Sequence, residues 1–178
     1  MKKKISVIFL ILLAMTSFYA KGTPLAVGFG LANSAGNFGL NLEVSSPTFA
    51  YDFLIVRAKS QVDFLSSPLF DTSLEWEPFS SHRIGLVGSS GWNSETIRLY
   101  GEFGGILCLP PSKISKDSMH FGIYGLFGFE FFFMDSSTPI SYYLEAGSDS
   151  LFGKADKLPS YPSYYNGFST KTGMRVYF

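Results

Sequence analysis

The chain has 178 residues, a formal net charge of zero, 16% charged and 17% aromatic residues, and a single cysteine, Cys108. One thiol allows no internal disulfide, no basic excess marks a nucleic-acid partner, and the aromatic share exceeds what a solvated globule of so few charges requires. Composition therefore excludes a disulfide scaffold and a nucleic-acid binder, and argues against an ordinary soluble domain.

Lys2, Lys3 and Lys4 precede an apolar run at residues 5–15 that only Ser6 interrupts, and small residues follow. Cleavage after Gly22 places Ala20 and Gly22 at the small-residue positions. Residues 1–22 are expected to be a secretory signal peptide, too short in its apolar part to span a bilayer, and residues 23–178 one exported domain. Without Lys2, Lys3, Lys4 and Lys21, ten basic residues face fourteen acidic ones, a charge of −4. No later apolar run is long enough for a transmembrane helix. In lipid every backbone N–H and C=O must pair internally, so such a chain meets a membrane as a closed barrel.

In chain order, Leu25, Val27, Phe29 and Leu31 alternate with Ala26, Gly28 and Gly30, and a turn follows at Asn33, Ser34, Ala35 and Gly36. Phe38, Leu40, Leu42 and Val44 alternate with Gly39, Asn41, Glu43 and Ser45. Phe49, Tyr51, Phe53 and Ile55 make a third run, residues 57–68 are ambiguous, and Leu74 and Trp76 make a short run that Pro78 stops. Ile84 and Leu86 alternate with Arg83, Gly85 and Val87; a polar turn at 89–95 carries Trp92. Ile97, Leu99, Phe103, Leu107 and Leu109 oppose Arg98, Tyr100, Glu102, Gly104 and Cys108. After Pro110 and Pro111 a polar loop leads to Phe121, Ile123, Phe127, Phe129 and Phe131, opposite Gly122, Tyr124, Leu126, Gly128 and Glu130. Ile140, Tyr142, Leu144 and Ala146 oppose Ser141, Tyr143, Glu145 and Gly147. The longest loop, 148–166, precedes a closing strand at 167–178.

One face is thus apolar and aromatic. The other carries glycines and the charges Glu43, Asp52, Glu75, Glu77, Arg83, Arg98, Glu102, Glu130, Glu145, Lys171 and Arg175. This is the period-two pattern of a transmembrane barrel, apolar outward and polar inward. Glycines suit the lumen of a barrel of about eight strands, where small residues make room for Glu, Arg and Tyr. Nine candidate strands conflict with the even number such barrels have; either two early candidates are one bulged strand, or residues 60–66 hide a tenth. The expected fold is all-β, a closed antiparallel up-and-down transmembrane barrel of eight strands, with ten as the alternative.

Together with the signal peptide and the polar-in alternation, the terminal Met174, Arg175, Val176, Tyr177 and Phe178 resemble the small bacterial outer-membrane β-barrels of the OmpA-barrel and OmpW type. The resemblance implies a cell outer-membrane location and lipid as partner. It also implies that Met174, Val176 and Phe178 present an assembly signal to the barrel-assembly machinery. It transfers no functional residue. The function expected is that of a structural or surface-exposed membrane protein, or a narrow conduit for small or hydrophobic molecules.

Glu43, Glu102, Glu130 and Glu145 are expected to be neutralised in the lumen by Arg83, Arg98, Lys171 and Arg175, a structural core, with the excess of carboxylates protonated, facing water or near the rim. An enzyme of the lipid A deacylase kind is the alternative. Nucleophilic catalysis needs a base held against its nucleophile; His82 in a turn and His120 at a strand start lack the His-x-Ser spacing, so no catalytic residue is assigned. Two isolated histidines and one cysteine offer no zinc spacing, and Asp135, Asp149 and Asp156 lack a calcium-loop rhythm, so no metal or cofactor is expected. Trp76, Trp92, Tyr142, Tyr177 and residues 131–133 fit the aromatic girdle. Loop 148–166, with Tyr161, Tyr164 and Tyr165, is the candidate extracellular contact surface. A soluble lipocalin-like barrel, apolar face inward, is the remaining alternative; the terminal Phe178, the glycines on the charged face and the scarcity of charge decide against it.

Overall fold

A computed structural model describes residues 24–49, 54–65, 77–92, 96–133, 140–157 and 166–178. Eight strands, β1 Ala26–Ser34, β2 Asn37–Ser45, β3 Leu54–Phe64, β4 Pro78–Trp92, β5 Ile97–Leu109, β6 His120–Phe133, β7 Ile140–Leu151 and β8 Gly167–Tyr177, close in sequence order. Every neighbouring pair is antiparallel, and β1 completes the ring against β8. This is the expected eight-stranded up-and-down barrel.

Cross-strand partners trace the stagger. From Arg98 they run through Glu130, Tyr143, Gly173, Gly30, Asn41, Gln61 and Ser81 and return to β5 at Cys108, ten residues beyond the start. A stagger of that size over eight strands tilts them by about 40° to the axis and leaves an interior that side chains fill. The lower end holds the start of β1 and the finish of β8. The upper end holds the β1–β2 hairpin, whose turn residues Ala35 and Gly36 both have positive φ, 52° and 88°. Gly36 takes that geometry without steric cost, and its N–H donates to Asn33 Oδ1 at 3.2 Å.

Alternation is strict. β2 is buried and exposed at successive residues along its whole length. Large apolar side chains point out, among them Phe29, Leu42, Ile84, Phe103 and Phe127, while the strand charges point in and are buried. A lipocalin-like barrel would have the reverse arrangement. Three inward tyrosines lie across inward glycines one or two strands away: Tyr100 over Gly128, Tyr124 over Gly85, and Tyr143 over Gly30 and Gly173, where an added Cβ would collide with the ring or its hydroxyl. The glycines make the room that the narrow lumen requires.

The parity conflict resolves in the first half of the chain. Residues 60–64 are neither a tenth strand nor a loop but the upper half of β3. That strand read as ambiguous because Arg57, Lys59, Gln61 and Asp63 point inward while the outward positions include Ala58 and Ser60, so neither face is distinctly apolar. Only the end of the expected 49–56 run belongs to it, from Leu54. The expected run at Leu74 and Trp76, and the inward charges Asp52 and Glu75, lie outside the described residues. β4 begins at Pro78 and extends to Trp92, longer at both ends than the sequence suggested. Its upper part reverses the usual chemistry, with Phe79 inward and His82 outward, so it read as a turn. β7 likewise runs on to Leu151, which moves Asp149 from the expected loop to an inward strand position.

At the upper end Leu65, Phe79, Ile106, Ile114, Leu151 and Ala155 pack into an apolar cluster above the charges. Two loops cap it. Lys157 N–H donates to Ile114 O at 3.1 Å, and Lys116 N–H donates to Asp156 Oδ1 at 2.8 Å.

Candidate functional site

The lumen concentrates the chemistry. Six carboxylates (Glu43, Asp63, Glu102, Glu130, Glu145 and Asp149) and six Lys or Arg side chains (Arg57, Lys59, Arg83, Arg98, Lys171 and Arg175) are buried there among the described residues. Among the described residues acid and base balance, because Arg57 and Lys59, on the unrecognised part of β3, supply positive charge that was not expected there.

Arg175 is the hub. Its guanidinium binds Glu43, Glu145 at 2.7 Å and Glu130 at 3.2 Å, donates to the Tyr100 hydroxyl at 2.9 Å, and lies 4.0 Å from the centre of the Tyr143 ring. Glu145 in turn accepts from Arg57 at 3.3 Å, Lys59 at 2.8 Å and the Tyr100 O–H at 2.7 Å. Glu102 meets Arg57 at 2.9 Å and Lys59 at 3.0 Å and accepts the Tyr124 O–H at 2.6 Å. Taking such charges out of water costs several kcal/mol per ion, which only close, multiply hydrogen-bonded geometry offsets. The tyrosine hydroxyls matter for that reason, since each satisfies a carboxylate lone pair that a cation leaves open.

Below the hub, Arg98 binds Glu130, which also accepts from Ser141 and Tyr177. Tyr177 was expected in the lipid-facing girdle; it points inward and is 4% exposed. Above the hub, Arg83 pairs with Asp149 at 2.8 Å rather than with one of the four expected glutamates. Lys171 is buried, yet its Nζ has no hydrogen-bond partner among the described residues. Glu77 is not a lumen group; it lies between β3 and β4 and meets the exposed Lys113 at 2.9 Å. Met174 and Phe178 face outward, as Val176 does between them.

Two Ser–His contacts bear on catalysis, and neither was visible as a spacing. Ser115 Oγ lies 3.0 Å from His120 Nε2 under the cap, but Ser115 is 2% exposed, so its hydroxyl is out of reach of a lipid ester. Ser60 Oγ lies 3.1 Å from His82 Nδ1 on the outward face, which corrects the placement of His82 in a turn. Among the described residues no group of three His, Cys, Asp or Glu side chains is arranged to hold a metal ion.

No protein-family model matches the chain, and no curated protein matches it either. Among solved structures it is similar to the outer-membrane protein Ail of Yersinia pestis, determined in a phospholipid bilayer nanodisc. The identity is 14% and the TM-score 0.45, covering 88% of this chain and 99% of that one.

Proposed function

We propose that the protein is an integral barrel of the bacterial outer membrane, acting as a structural or surface-exposed membrane protein with a closed lumen. The observation that carries this reading is the inversion of the barrel relative to a soluble protein. Phe29, Leu42, Ile84, Phe103, Phe121 and Phe127 are each more than half exposed, while Arg57, Glu130 and Arg175 are fully buried. An exterior of that kind is stable only in contact with lipid. The ionic core and the apolar cap above it fill the interior, which favours a scaffold over a conduit for small molecules. Of the two Ser–His contacts, the buried Ser115 hydroxyl is out of reach of a lipid ester, and only the Ser60–His82 pair is exposed on the outward face.

In this reading the lower end faces the periplasm, the capped end faces outward, and residues 1–22 direct export. Met174, Val176 and Phe178 form the outward edge that the barrel-assembly machinery would recognise. The outer loop that follows β7 would be the surface for extracellular contacts; Tyr161, Tyr164 and Tyr165 within it lie outside the described residues. The test is fractionation in a native envelope. Retention in the membrane after alkaline wash, with gel mobility that changes on heating, is expected, whereas release into the soluble fraction overturns the reading. Reconstituted liposomes are expected to show no conductance above protein-free controls.

A further inference from the structure

The outward face differs around the circumference. β6 presents Phe121, Ile123, Phe127, Phe129, Phe131 and Phe133, between 36% and 76% exposed, with Leu107 and Leu109 beside them on β5. At about 3.3 Å per residue and a tilt of about 40°, the stretch from Phe121 to Phe133 rises roughly 30 Å, the full hydrocarbon thickness of a bilayer. On both flanks polar side chains stand beside its upper half, with Phe152 at the rim beyond Ser150 and Phe168 of β8 beside Ser148 as the outward aromatic exceptions. Leu109 is paired in register with Ser80 and Leu107 with His82 on β4, and Ile123 is paired with Ser150 and Gly125 with Ser148 on β7. Register partners on adjacent strands lie within about 3 Å of one height at this stagger. The outward apolar run of β7 breaks after Ala146, roughly half the height of the β6 column, with Ser148 and Ser150 next and an outward phenylalanine again only at the rim, Phe152, level with Phe121.

Resting on the membrane reading above, we propose that the boundary between hydrocarbon and headgroups is uneven around this barrel. The β5–β6 sector is immersed to its upper rim, while outer-leaflet headgroups and water descend over the upper halves of β4 and β7. The partner that fits this surface is the outer leaflet itself. A belt of unequal height is accommodated by tilting the barrel toward its tall side or by thinning the leaflet on its short side. His82 then sits at headgroup level, where an ionisable side chain carries little cost, rather than inside the apolar layer.

The competing arrangement is a level boundary. A serine can remain in lipid if its hydroxyl is satisfied locally, and Ser148 Oγ does donate to Gly167 O at 3.1 Å. The experiment compares residues that register places side by side. The full chain in phosphatidylcholine vesicles carries Ile123→Cys, Ser150→Cys or Phe127→Cys, each labelled with a fluorophore; Cys108 is 0% exposed and leaves the label to the introduced thiol. Quenching by brominated lipid is compared with quenching by aqueous iodide. The lipid-to-iodide ratio is expected to be several-fold higher at position 123 than at 150, with 127 resembling 123. Equal ratios at 123 and 150, alongside lipid quenching at 127, overturn the uneven boundary and leave the membrane reading standing. Absence of lipid quenching at 127 overturns the membrane reading. Leu109→Cys and Ser80→Cys repeat the comparison on the other flank, so one misfolded variant does not decide the outcome.

Discussion

Arg175 and Lys171 are two inward cations on β8, both buried to within 3%, and their surroundings differ as much as any in the molecule. Arg175 binds three carboxylates and a tyrosine hydroxyl. Lys171 Nζ has none of these among the described residues, although Glu145 is its direct partner in register. Adjacency across a strand pair therefore does not by itself decide who pairs in this lumen, although it does join Arg98 to Glu130. Glu145 is already held by Arg57, Lys59 and Arg175, and the forked guanidinium of Arg175 reaches it from two inward positions along β8, past Gly173, while satisfying other acceptors. A lone ammonium reached by no acceptor keeps its desolvation cost without the compensation that the hub enjoys.

The comparison breaks most visibly at the hub. Arg175→Met leaves Glu43, Glu130 and Glu145 short of their shared cation and is expected to destabilise the barrel by about 3–5 kcal/mol. The measurement is the urea midpoint for unfolding from detergent micelles. A cost no larger than that of the Lys171 substitution would mean that the hub is not held by these contacts.

Lys171→Met is expected to be neutral or to stabilise by about 1 kcal/mol, because it removes a buried charge and opens no ion pair. The same urea series measures it. A loss of about 3 kcal/mol or more would instead show that Lys171 is as deeply engaged as Arg175.

The difference also marks what a sequence can disclose. The barrel was legible wherever the two faces contrast, as in β2 with Phe38, Leu40, Leu42 and Val44 outward. It was illegible where they do not: the inward Arg57, Lys59, Gln61 and Asp63 of β3 faced a weakly apolar outer face, and so two of the six lumen cations among the described residues were missed. The upper part of β4 was hidden by inversion, with Phe79 turned into the cap cluster and Ser80 and His82 turned out. The inward direction of Glu43, Arg98, Glu102, Glu130, Glu145 and Arg175 could be read from parity. Their partners could not, because pairing depends on the stagger of the strands and on diagonal reach across the lumen, neither of which is encoded in local periodicity. Tyr177 shows the same limit, since the parity that placed Arg175 inward also placed Tyr177 inward, against the girdle role its position near the strand end suggested.

The smallest effect is expected where charges meet in water. In the cap, Lys116 Nζ approaches Asp156 to 3.9 Å, with the lysine side chain 71% exposed, and such a pair contributes little to stability. The Lys116 backbone N–H, the leading cause, and the nearby Lys116 ammonium hold the Asp156 carboxyl below its ordinary value. A carboxyl lowered on folding lends its contribution above the ordinary aspartate value and loses it as pH falls through the lowered one. The Lys116 amide resonance, followed in micelles from neutral to acid pH, is therefore expected to shift with a midpoint below the usual aspartate range. Asp156→Asn should abolish that transition while leaving the neutral urea midpoint unchanged, since the amide oxygen still accepts from Lys116 N–H. A midpoint at or above the usual aspartate value would show that the clamp between the two loops does not favour the carboxylate. A large fall in the neutral urea midpoint would place Asp156 with Arg175 rather than with ordinary surface charges.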